Sequence, residues 1–170
     1  MRHPKGFTLL EFIIYFALIS IVISAITLFA LDVIRTRAKT AVIAEVEQNM
    51  RFGMQRMLRT VRQASKLNVG ASTFNSDSGV LSVDMPSASN TPTVFDLSGG
   101  AVRMKEGSGP ATPLTTPRVN VTSLRFSKDN LGGNNNAVTA VITLAFASDN
   151  PDQAFTYVAA ASGTAVIRKD

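Results

Sequence analysis

From Phe12 to Leu31 the chain runs for twenty residues without a charge, a glycine or a proline. At 1.5 Å per residue such a helix is ~30 Å long, the thickness of a bilayer's hydrocarbon core. The wider segment 7–31 reads FTLLEFIIYFALISIVISAITLFAL, with twenty apolar residues and one charge, Glu11. A core helix in a small soluble domain is rarely apolar on all faces at this length, so membrane residence is expected. A secretory signal has a shorter apolar stretch of ~7–15 residues and a small-residue cleavage site. Leu28-Phe29-Ala30-Leu31 is a poor match to such a site. Arg2 and Lys5 precede the span and Arg35, Arg37 and Lys39 follow it, so flanking charge does not decide orientation.

Glu11 is the unusual residue of this segment. A carboxylate in a span costs ~2.5–3.5 kcal/mol at the helix centre and less near an edge. Either it reaches the headgroups from near the interface or it has a cationic partner. No Lys or Arg lies near it within the span, so such a partner should come from another chain.

The rest of the 170 residues argue for assembly rather than catalysis. With no cysteine there is no disulfide, thiolate metal site or cysteine nucleophile, and the one histidine, His3, leaves no Ser-His-Asp triad or histidine zinc site. The net charge of +5 is uneven: residues 1–31 carry +1, 32–69 carry +5 and 70–170 carry −1. Basic excess beside an apolar run fits anionic lipid headgroups more economically than nucleic acid.

Beyond Asp32, residues Ile43, Val46, Met50, Met54, Met57, Val61 and Ala64 recur at steps of three and four. This is the apolar stripe of an amphipathic helix. Arg51, Gln55, Arg59, Arg62 and Lys66 fall largely off it. With a stop at Asn68 and Gly70, one helix from Phe7 to about Leu67 would be ~90 Å long. The stripe is expected to pack on the C-terminal domain, its methionines filling the core. Only Phe52 interleaves the basic residues as a stacking ring, so nucleic acid is not the expected partner.

Composition changes at residue 70, and nine of eleven glycines and six of seven prolines lie from there on. Candidate strands are 80–85, 93–97 and 101–105 around Ser98-Gly99-Gly100, then 118–127, 138–146, 155–160 and 164–168. The chain is therefore expected to be α+β. Its long N-terminal helix spans the membrane with its first half and packs its amphipathic second half on an antiparallel β-sheet head.

Lys5-Gly6-Phe7-Thr8-Leu9-Leu10-Glu11, with a short basic leader and the apolar run behind it, resembles the processing site of type IV prepilins. The resemblance implies a leader at 1–6, a membrane or filament-core helix at 7–31, an amphipathic stem at 32–69 and a pilin-like head at 70–170. It implies cleavage by prepilin peptidase between Gly6 and Phe7, N-methylation of Phe7, and Arg2 and Lys5 as the leader charges. Glu11 becomes the fifth mature residue, an assembly position, with a neighbouring subunit's Phe7 α-amino group as its partner. Many major pilins have a helix-breaking proline where this chain has Leu28. That departure favours a minor pilin or pseudopilin. In outline the stem and head resemble the minor pseudopilin J of type II secretion and minor pilus-tip pilins, through Arg59-Thr60-Val61-Arg62-Gln63-Ala64, Gly79 to Val83, Phe95 to Gly100 and Val121 to Phe126.

The resemblance implies a structural subunit of a type IV pilus or type II secretion pseudopilus, in its tip or initiation complex, and no enzyme or cofactor. The expected partners are other pilin or pseudopilin subunits, the prepilin peptidase, the inner-membrane assembly platform and the lipid bilayer. The leader would lie inside and the head in the periplasm or outside the cell. A membrane-anchored adhesin or DNA-uptake module of a competence pilus is the alternative, and an anchored periplasmic enzyme a third class. No phosphate loop is present. Asp149 to Asp152, and Asp129-Asn130 with Asn134 to Asn136, lack the full calcium-loop spacing. Asn120-Val121-Thr122 fits a glycosylation sequon, and nothing places Asp84 beside Asp96 as a hydrolytic pair.

Overall fold

The computed structural model describes residues 8–130, 136–148 and 155–167. Helix α1 runs unbroken from Leu9 to Gln63, 55 residues and ~82 Å. No proline interrupts it, and Gly53 is its one glycine, buried against the head. The α+β architecture, a long helix on antiparallel sheets, is the expected pilin-like one.

The helix stops four residues short of the expected Leu67. Ala64 turns to extended backbone, its N–H donating to the Val61 carbonyl. The Ser65 N–H and hydroxyl then both donate to the Asp84 carbonyl, at 2.8 and 3.0 Å. Lys66–Leu67 forms strand β1, with Leu67 5% exposed and opposite Val83. Strand pairing offers Leu67 a buried site that a continued helix does not, so the sheet overrides the helical pattern.

Strands β2 (Leu81–Asp84), β3 (Thr93–Ser98), β4 (Ala101–Glu106) and β5 (Thr112–Pro113) complete a five-stranded antiparallel sheet in the order β1-β2-β3-β4-β5. The expected β3–β4 hairpin is present. Gly99 and Gly100 take φ of +59° and +72°, the left-handed pair that a two-residue turn between right-twisted strands requires. Strands β6 (Val119–Asn130), β7 (Asn136–Phe146) and β8 (Val158–Ile167) form a second sheet. The sequence implied one sheet; two are found. The outer edge of β6 is met by the connection before β2, where Asn75 N–H donates to Phe126 O and Gly79 N–H to Leu124 O, and by the β3–β4 turn, where Val121 N–H donates to Gly100 O, each at 2.8 Å.

Residues 155–160 and 164–168 were expected to be separate strands. Of these, 158–160 and 164–167 belong instead to one strand, β8, which passes straight through Ser162 and Gly163 opposite Val141 and Ala140, while 155–157 precede it and Arg168 lies outside the described residues. Gly163 lies where the stem crosses: a Cβ there would stand 2.6 Å from Leu58 Cδ1. The glycine admits the helix rather than turning the chain.

The stem lies on the three-stranded sheet, chiefly over β7 and β8. One contiguous core joins Val46, Met57 and Val61 of the helix to Leu81, Phe95 and Val102 of the first sheet and Leu124, Phe126, Ile142 and Leu144 of the second. Of the expected stripe, Val46, Met54, Met57, Val61 and Ala64 are buried and Ile43 and Met50 half-buried. Val42, Asn49, Gly53 and Thr60 are buried beside them.

Candidate functional site

The two halves of α1 face different surroundings. All its buried residues lie from Val42 onward. Between Leu9 and Leu31 the large apolar side chains are 47–79% exposed, with no other element over them. At ~1.5–3 kcal/mol for fully burying one large side chain, withdrawing this surface from water is worth tens of kcal/mol. The span leaves little polar surface of its own. Ser20, Ser24 and Thr27 donate to the carbonyls of Phe16, Ser20 and Ile23 at 2.7–2.9 Å, so each hydroxyl is satisfied within the helix. The segment can sit in lipid or pack against other apolar helices.

Its amino end is a built cap. Thr8 takes the extended N-cap conformation and its Oγ1 accepts the Glu11 N–H at 3.2 Å. Thr8 and Glu11 have the spacing of a capping box, and a first-turn carboxylate favours the helix dipole by ~0.3–1 kcal/mol. The Tyr15 hydroxyl, one turn on, donates to Glu11 Oε1 at 3.1 Å. Tyr15 and the Thr8 cap were missed from sequence, although both sit at the spacing that could have found them, i+4 and i−3 from Glu11. No Lys or Arg among the described residues pairs with Glu11. The expected cleavage and methylation positions, Gly6 and Phe7, and the leader charges Arg2 and Lys5 lie outside the described residues.

A second polar cluster ties stem to head. Asn49, 6% exposed, donates to Glu45 O and Oε1, and its Oδ1 accepts the Thr116 N–H at 2.8 Å. Thr116 Oγ1 donates to Glu45 Oε1, and Arg118 lies 3.8 Å from Glu45 Oε2. A helical position at Asn49 places an amide where the 114–118 segment needs an acceptor, a purpose the apolar periodicity could not register.

Asp84 accepts from Asn68 at 2.6 Å, and Asp96 forms a two-point pair with Arg103 at 2.9 and 2.7 Å, which raises the Arg103 pKa. Each carboxylate is thus engaged separately in its own sheet contact. Among the described residues no three His, Cys, Asp or Glu side chains come together to hold a metal. Asp129, Asn130 and Asn136 lie at the facing ends of β6 and β7, while Asn134 and the 149–152 motif are outside the described residues.

Residues 1–27 match the family model of the prokaryotic N-terminal methylation motif. No curated protein and no solved structure matches the chain. With the long apolar N-terminal helix, this motif supports a type IV pilin-like prepilin that is membrane-anchored, cut by prepilin peptidase and assembled with other pilin subunits. The motif's family is structural rather than enzymatic.

Proposed function

We propose that the chain is a minor pilin or pseudopilin, held in the inner membrane by one span with its head in the periplasm. The leader 1–6 is removed between Gly6 and Phe7, and Phe7 is N-methylated. The subunit then leaves the bilayer for a type IV pilus or type II secretion pseudopilus, at the tip or initiation complex.

The observation that supports this most is the division of α1: its first half is bare and internally satisfied, its second half is locked into a head. Such a rod can exchange lipid neighbours for sister helices without refolding. Head-to-tail contacts of this kind are heterologous and generate open filaments. Tyr15 holds one oxygen of Glu11 and so orients the carboxylate at the helix tip. Pairing with a neighbour's α-amino group in low dielectric would reward axial register.

Mass spectrometry of the protein from its native host tests this. Material beginning at methylated Phe7 is expected, with Gly6→Ala blocking the cut. Glu11→Ala is expected to leave the cut largely intact and to lower incorporation into filaments. An intact Met1 on the mature protein overturns the proposal.

A further inference from the structure

We propose that the free face of the α1 stem docks the carboxylate-rich surface of a different polypeptide. This deepens the filament-subunit reading and rests on it. At 100° per residue, Gln48, Phe52, Gln55, Arg59 and Arg62 fall within about 40° either side of one line, with Arg51 just outside it. The head covers the opposite side of the helix, through Met50, Met54, Met57 and Val61. Phe52, Gln55, Arg56, Leu58, Arg59 and Arg62 bound a shallow groove of about 590 Å³. Phe52 is 56% exposed within it.

Arg56 is occupied, its Nη2 3.3 Å from Glu106 Oε1. Arg51, Arg59 and Arg62 have no ion pair among the described residues. A row of unpaired guanidinium groups around one exposed ring has the composition of an interface centre, where Arg and aromatics are enriched.

Position excludes the protein's own bilayer. Arg51 lies twenty residues past Leu31, ~30 Å along the axis, and a 40° tilt still leaves ~23 Å. Screening at physiological salt acts over ~8 Å, so headgroups do not reach this row.

The surroundings favour a protein over a nucleic acid. Glu47 and the Glu106–Arg56 pair flank the row, so the unbroken line charge of a polyphosphate meets repulsion at both edges, whereas discrete carboxylates on a protein surface can meet the guanidinium groups between them. One ring does not make a base-stacking platform.

A second copy offers little complement. Asp77, Asp96 and Glu106 are ion-paired, Glu45 is bonded to Thr116, and Asp84 to Asn68. The other described acids, Glu11, Asp32, Glu47 and Asp129, form no row, and Glu11 lies in the apolar span.

The test places a photo-crosslinking residue at Gln55 of the full chain in its native host. The expected adduct is with a different polypeptide, through a peptide containing several Asp or Glu. Its yield should fall about tenfold in Arg59→Glu/Arg62→Glu and in Phe52→Ala, and hold in Arg59→Lys/Arg62→Lys. Unchanged unfolding transitions show that these exposed substitutions keep the fold. An adduct with lipid, nucleic acid or a second copy, no adduct, or one insensitive to charge reversal overturns the proposal. The N-terminus is read on the same material: methylated Phe7 without the adduct removes this inference alone, whereas an intact Met1 removes the filament reading.

Discussion

A methyl group added at Gly163 would stand 2.6 Å from Leu58 Cδ1 and 3.2 Å from Met54 Sδ, where the stem crosses β8. Gly163 lies in a strand and has no left-handed φ. Two opposed effects are therefore expected of Gly163→Ala. Restricting the unfolded chain stabilises by ~0.4–1 kcal/mol. Overpacking against the helix costs ~1–3 kcal/mol. The net result is a loss of ~0.5–2 kcal/mol, or several degrees in Tm for a unit of this size. In a Leu58→Ala background the nearest obstacle is gone and the Met54 thioether can yield, so the sign reverses and Gly163→Ala stabilises by ~0.4–1 kcal/mol. Urea unfolding of the full chain in detergent micelles, followed by circular dichroism, measures the four-variant cycle. An equal cost in both backgrounds would refute the reasoning. It would mean that β8 needs the glycine for its own backbone and that the approach of the stem is incidental.

A chain shortened to begin at Asp32 retains every buried residue of the stem and should be soluble, with one cooperative unfolding transition; aggregation as an unfolded chain would count against a self-sufficient head. The Asp77 pKa is lowered, first by its hydrogen bond from Arg125 and then by that from Ser123. A carboxylate depressed on folding stabilises at neutral pH, and that contribution is lost as the pH falls from its ordinary value of 3.8 through the lower folded value. Asp77→Asn should thus unfold more readily than the parent at pH 7 and converge with it below the carboxylate range; parallel pH profiles would deny Asp77 this role. Thr115 Oγ1 is buried without a hydrogen-bond partner among the described residues. Thr115→Val keeps the branched shape and should raise stability by ~1 kcal/mol, and a lowered Tm would reveal a partner for the hydroxyl.

What could be read in the chain alone was whatever depends on short-range order. The span at 12–31, the stem stripe, the Gly99-Gly100 hairpin and the α+β class follow from periodicity, hydropathy and turn chemistry, each set by neighbours a few residues apart. The N-terminal methylation motif matched at residues 1–27 is likewise a local pattern. The geometry around Glu11 was legible only in part: the residue stood out as a charge in an oily helix, while the capping role of Thr8 and the hydroxyl of Tyr15 went unread. Other features depended on partners far along the chain. The helix ends at Gln63 because β2 offers backbone acceptors and Leu67 a buried place beside Val83. The break expected between 160 and 164 is absent, and nothing nearby in sequence announces that Leu58 lies against Gly163. Asn49 lay outside the apolar stripe, and only the fold brings the Thr116 N–H to its side chain. Tertiary structure decided these because a free N–H, a crowding methyl group or a vacant strand edge exists only once segments tens of residues apart have packed together.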